Sequence, residues 1–174
     1  MSLNRAVAAL GAVAVVGAAT VGLSVWKASD AGQPVPRIYV TSGSTWTPVS
    51  ALCYNGGKTI SAKDLTACAA KVQKLGTANS AKAVTVRPNS TFTIGVDKAV
   101  TKNGWSASGS AALVQQTTKY QANNLPLSGV FATQTDQTTG ATTTTDKGTV
   151  LVLERKTATG PILGVWVFSM KTAS

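Results

Sequence analysis

The chain has 174 residues, 16 of them lysine or arginine against six acidic ones, with two cysteines, no histidine and a formal charge of +10. Without an imidazole there is no Ser-His or Cys-His nucleophile pair and no histidine metal site, and two thiols are too few for a structural zinc centre. The basic balance comes with no nucleic-acid-binding motif, so it points to anionic neighbours of another kind: acidic lipid headgroups, cell-wall polymers or acidic protein surfaces.

The first element is Ala6 to Trp26, AVAALGAVAVVGAATVGLSVW, 21 residues without a charge. At helical rise such a run crosses about 30 Å of hydrocarbon. Arg5 precedes it and a long domain follows, so the positive-inside rule puts the N-terminus in the cytoplasm and the C-terminal domain outside the cell membrane, as a single-pass protein. A cleaved secretory signal competes with a retained signal-anchor. Signal cores usually span about 7–15 residues, this run is longer, and the nearest small-x-small site, Ser29-Asp30-Ala31, lies well beyond it. Retention is therefore the expectation. Gly11, Ala14, Ala18 and Gly22 fall along one side of the helix and would admit close approach of another transmembrane helix. The competing view is that they reflect composition alone.

Residues 27–36, KASDAGQPVP, read as a short polar tether, and residues 37–174 as one extracytoplasmic domain. That domain, with Lys27 and the tether, holds 15 basic residues against six acidic ones, about +9 by formal count. Arg37 to Thr41 reads as a strand, Ser42-Gly43-Ser44 as a turn, and Thr45 to Tyr54 as extended chain that Pro48 confines to a sheet edge. Cys53 and Cys68 are an even pair in an oxidising compartment, which predicts a disulfide.

Ser61-Ala62-Lys63-Asp64 has the form of a capping box, and Leu65, Cys68, Val72 and Leu75 recur at helical spacing up to Gly76. The helix face that holds Cys68 is apolar, so the disulfide would pin the helix onto the strand carrying Cys53. Lys63, Lys71 and Lys74 then turn toward water, first as a solvated face and second as a possible anion contact. Val84 and Val86, the turn Arg87-Pro88-Asn89-Ser90, and Phe92, Ile94 and Val96 read as a hairpin. Asn103-Gly104 turns into a strand at Trp105, Leu113 to Tyr120 is a longer polar strand, and Gly129 to Ala132 a short one. Thr133 to Thr149 has nothing to bury and reads as a mobile hairpin tip or loop, with glycosylation or a partner contact as lesser readings. Thr149 to Glu154 and Val165 to Met170 are strands joined through Thr159-Gly160-Pro161, the last apolar on both faces and hence central. The predicted fold is mainly β: an antiparallel, immunoglobulin-like β-sandwich with one inserted helix, behind an N-terminal transmembrane helix.

The blocks Cys53-Tyr54-Asn55-Gly56-Gly57-Lys58 with Cys68, Thr93-Ile94-Gly95-Val96-Asp97, Asn103-Gly104-Trp105, Lys119-Tyr120 and Gly164-Val165-Trp166-Val167-Phe168 run in order through most of residues 37–171. In order and spacing they resemble an uncharacterised family of actinobacterial secreted proteins, mostly lipoproteins. The resemblance implies an anchored, extracytoplasmic small domain and supplies no catalytic residues. This chain departs from the pattern in having no cysteine in or just after residues 6–26 to carry the lipid, which leaves anchoring to the apolar helix.

The six carboxylates are Asp30, Asp64, Asp97, Asp136, Asp146 and Glu154, and three of them fall in the tether or the threonine-rich stretch, so a paired-carboxylate hydrolase has few candidates. Ser24 to Lys27 fits S-x-x-K at the membrane boundary, and Leu125 to Gly129 has the look of a sorting signal without its apolar tail; both read as chance matches. Gly56-Gly57-Lys58 is a turn rather than a phosphate loop. Trp46, Tyr54 and Trp105 read first as packing groups and second as a glycan groove. The expectation is a non-enzymatic accessory or interaction protein without cofactor or metal, docking on other transmembrane subunits. The alternative is a freestanding envelope-binding module for anionic lipid or cell-wall polymer.

Overall fold

The computed structural model describes residues 34–77 and 83–173. The expected anchor, with Gly11, Ala14, Ala18 and Gly22, lies outside the described residues. Among the described residues no helix is long and apolar enough to cross a membrane.

Strand alternation builds two large sheets, beside a separate two-stranded one. The first has the order β2 (Thr45–Ser50), β1 (Arg37–Ser42), β5 (Thr91–Val96) and β8 (Gln121–Pro126), all antiparallel. The second runs β3 (Cys53–Tyr54), β12 (Ile162–Thr172), β11 (Lys147–Arg155), β6 (Trp105–Ser108) and β7 (Ala112–Thr117), antiparallel throughout, while β4 (Val84–Val86) joins β12 in parallel. Every second residue of each strand points inward: Ile38 and Val40 of β1 and Phe92, Ile94 and Val96 of β5 share one core with Val150 and Val152 of β11 and Trp166, Phe168 and Met170 of β12. The two sheets thus stack as a β-sandwich. Pro48, which donates no ladder hydrogen bond, sits in the edge strand β2 opposite Tyr39.

Both faces of β12 are apolar for two separate reasons. Trp166, Phe168 and Met170 face the other sheet, whereas Val165 and Val167 lie under helix α1 (Ala62–Thr77), meeting Ile60, Leu65, Cys68 and Val72. The capping box forms: Asp64 N–H donates to Ser61 Oγ at 3.2 Å, and the Ser61 hydroxyl donates to Asp64 Oδ2 at 2.7 Å. Cys53 of β3 and Cys68 of α1 are joined by a disulfide with their Cα atoms 6.1 Å apart. Closing that 15-residue separation contributes about 3 kcal/mol in the chain-entropy model.

Several elements differ from the sequence expectation. A second helix, α2 (Lys98–Asn103), follows Asp97, so the insertion is not a single helix; one and a half turns are too short for an apolar period to show. The turn at Arg87 to Ser90 does not make a hairpin, because β4 pairs with β12 and β5 with β1 and β8, so the chain there crosses between sheets. The polar strand stops at Thr117 and a further strand, β8, follows the turn. Instead of a strand at Gly129 to Ala132 there is a 3-10 turn at Leu127–Gly129. Of the two readings of the threonine-rich stretch, hairpin tip or loop, the structure has the hairpin, with a ladder of its own, β9 (Thr133–Thr135) on β10 (Thr142–Thr144). Asp136 closes its tip by accepting hydrogen bonds from Thr138 N–H and Thr139 N–H, which also hold its carboxyl below the ordinary value.

Candidate functional site

Lys63, Lys71 and Lys74 are all exposed on α1, as the helical phase requires once Cys68, only 3% exposed, faces the sheet. They lie on the side of the sandwich that α1 seals. The three aromatics of the expected glycan groove do not come together. Trp105 is fully buried, its indole N–H donating to the Lys119 carbonyl at 2.8 Å. Tyr54 is half-buried, tilted against Trp166 at 6.2 Å between centroids. Trp46 alone is open, 59% exposed, and stacks on Tyr39 with centroids 4.9 Å apart and planes 16° from parallel.

This stacked pair lies on the outer face of the first sheet. Tyr39 is opposite Gly95, and Gly95 is opposite Gln121, so Tyr39, Gly95 and Gln121 form a row across three strands on the face away from the core. A side chain at Gly95 would start 3.9 Å from both Tyr39 Cβ and the Tyr120 main-chain carbonyl, so the glycine leaves the sheet surface open beside the Tyr39 side chain. Asp97 accepts a hydrogen bond from the Arg37 backbone N–H at 2.7 Å. Burial raises the Tyr39 phenol above its ordinary value, and its hydrogen bond to Asp97 adds to the shift.

Beyond Gln121 the row reaches a cleft of about 630 Å³ lined by Thr117, Lys119, Tyr120, Gln121 and Asn123, with Val114 and Ala122 as its apolar lining. Its walls belong to β7 and β8, the free edges of the two sheets on this side of the sandwich. Tyr120 is 59% exposed. In the sequence Lys119 and Tyr120 read as the end of a polar strand and as one block of the family resemblance; nothing local announces that their turn joins one sheet edge to the other.

A second polar feature is internal. Register places Trp105, Glu154, Gly164 and Tyr54 in one row across β6, β11, β12 and β3. Glu154 is 1% exposed; its Oε1 accepts a hydrogen bond from Asn103 Nδ2 at 2.6 Å, and its Oε2 is buried without a partner. Loss of hydration raises its carboxyl above the ordinary range, offset in part by the Asn103 amide. The same carboxylate, after burial itself, raises the Tyr54 phenol. Strand parity with Val150 and Val152 was the signal for this inward position. Among the described residues no group of three or more His, Cys, Asp or Glu side chains is placed to hold a metal ion.

Comparison with protein-family models, with curated proteins and with solved structures finds no match to this chain.

Proposed function

We propose that this chain is a non-enzymatic extracytoplasmic interaction protein, held at the cell membrane by one helix over residues 6–26 and docked through Gly11, Ala14, Ala18 and Gly22 on other transmembrane subunits. Its immunoglobulin-like sandwich then meets the partner on the outer side. The observation that carries the reading is an asymmetry: α1, pinned by Cys53–Cys68, covers the outer face of one sheet, while among the described residues no helix packs on the outer face of the other, which displays an exposed Trp46 on Tyr39. A disulfide suits an oxidising compartment, and the likeness to anchored actinobacterial proteins suits the same side of the membrane. The reading assigns no cofactor and no metal.

The test is purification of the full chain in mild detergent, with identification of what co-elutes. The double variant Ala18→Leu, Gly22→Leu keeps the segment apolar but adds bulk where a neighbouring helix would sit. Membrane insertion is expected to survive and co-elution to be lost. A soluble product that begins near Gly32 overturns the anchor and the docking strip together. A second reading, an envelope-binding module for anionic lipid or cell-wall polymer, is favoured by the exposed Lys63, Lys71 and Lys74; it holds if retention follows those lysines and ignores the leucine substitutions.

A further inference from the structure

The outer face of the first sheet and the cleft at its border share one chemical character. In a protein of +10 formal charge, the row from Tyr39 over Gly95 to Gln121 consists of an aromatic ring, a glycine and an amide; at its Tyr39 end stand Asp97 and Arg37, of opposite sign, and at its cleft end cationic charge enters with Lys119. The lining of the cleft adds Tyr120, Gln121, Asn123 and Thr117, whose hydroxyl accepts the Lys119 N–H at 3.3 Å and keeps its own proton to donate, and no carboxylate lines it. Aromatic faces take the apolar side of a sugar ring, amides and hydroxyls pair with sugar hydroxyls, and an ammonium takes an acidic substituent. At about 630 Å³ the cleft lies in the range of small-ligand sites, roughly 300–1,000 Å³.

We propose that this cleft binds an acidic saccharide: a sugar ring against Tyr120, its carboxylate or phosphate on Lys119, and its hydroxyls on Gln121, Asn123 and Thr117, with the glycan continuing over Gly95 toward Tyr39 and Trp46. The strand spacing makes that row about 14 Å from β2 to β8, which is room for a chain rather than a single ring. The free edges argue less for an added peptide strand. β8 contains Asn124 at φ 54 and ends in Pro126, and a left-handed residue and a proline both interrupt the ladder that an incoming strand needs. The proposal rests on the interaction-protein reading in using the outer face of the first sheet, and it names the ligand.

The experiment titrates the full chain in detergent micelles with a uronic-acid disaccharide, the neutral disaccharide of the same linkage, a hexose 6-phosphate and inorganic phosphate, followed by saturation-transfer NMR and calorimetry. Saturable binding of at least one acidic sugar is expected, weakened about tenfold when the charged hydrogen bond is removed in Lys119→Ala and by a similar factor in Tyr120→Ala. Tyr120→Phe keeps the ring and retains binding. Preference between the uronic acid and the phosphorylated sugar identifies the acidic group. Both side chains are exposed, so unchanged melting temperatures certify the fold of each variant. Inorganic phosphate binding as tightly as the sugars, or acidic-sugar affinity unmoved in both alanine variants, overturns the proposal, as does no saturable binding. If one of those results overturns the saccharide site, a protein partner that still co-elutes with the chain leaves the interaction-protein reading intact.

Discussion

Glu154 exchanges its hydration for one amide hydrogen bond from Asn103, and its second oxygen gains nothing. The folded state therefore holds the proton more tightly than the unfolded chain does. Below the ordinary carboxylate range both states are protonated, and the residue imposes no penalty. As pH rises, the unfolded chain ionises first, and stability falls until the folded group ionises as well. Glu154→Gln imitates the neutral acid and keeps the Asn103 contact. Its melting temperature is expected to match the parent at about pH 4 and exceed it at about pH 8, a divergence that thermal scans across this range measure directly. The neighbouring Gly164 shows how tightly the same row is filled. A methyl group there would stand 2.5 Å from Trp166 Cη2 and 3.0 Å from Glu154 Oε2, so Gly164→Ala is expected to lower stability by about 1–3 kcal/mol, read from the denaturant midpoint.

Helix α1 has a small apolar cluster of its own. Ile60, Cys68, Val165 and Val167 are buried there with Leu65 and Val72 only partly so, and the main core lies on the other side of β12. A fully buried aliphatic side chain contributes about 1.5–3 kcal/mol, so a disulfide worth about 3 kcal/mol counts as much as one such residue in holding this helix. Replacing Cys53 and Cys68 by alanine is expected to remove amide-exchange protection from Ala62–Thr77 well before the sandwich melts. Simultaneous loss of protection in β11 and β12 would show that the helix and the sandwich unfold as one unit. The helix, the disulfide, the Pro48 edge and the central last strand were all readable, because caps, apolar period and proline chemistry are local. β8 was not: Gln121 to Pro126 is polar and contains a proline, and it is a strand because β5 pairs with it and buries Leu125. The cleft was invisible for the same reason, since two edges remote in pairing create it.

Charge is distributed unevenly over the molecule. The helix side carries Lys63, Lys71 and Lys74, all exposed, while the Tyr39-to-Gln121 row has no charged member and is flanked at Tyr39 by Asp97 and Arg37, of opposite sign. Reversal of Lys63 and Lys71 to glutamate is expected to weaken attachment to anionic vesicles, with a difference that shrinks as salt shortens the screening length from about 10 Å at 0.1 M to about 3 Å at 1 M. Cosedimentation across a salt series checks this, and binding to neutral vesicles should not change. The placement of β12 has a consequence for how the molecule is made. Among the described residues β3 and β4 pair with no strand except β12, and β11 lies between it and β6; the Trp166 indole also donates to the Pro36 carbonyl ahead of the first strand. Ile162–Thr172 is the last element in chain order. A nascent chain emerging N-terminus first therefore carries unmatched strands, open-edged and sticky, until those eleven residues arrive. The sandwich is thus completed only once β12 is available, and the interval before β12 emerges is when a chaperone matters most.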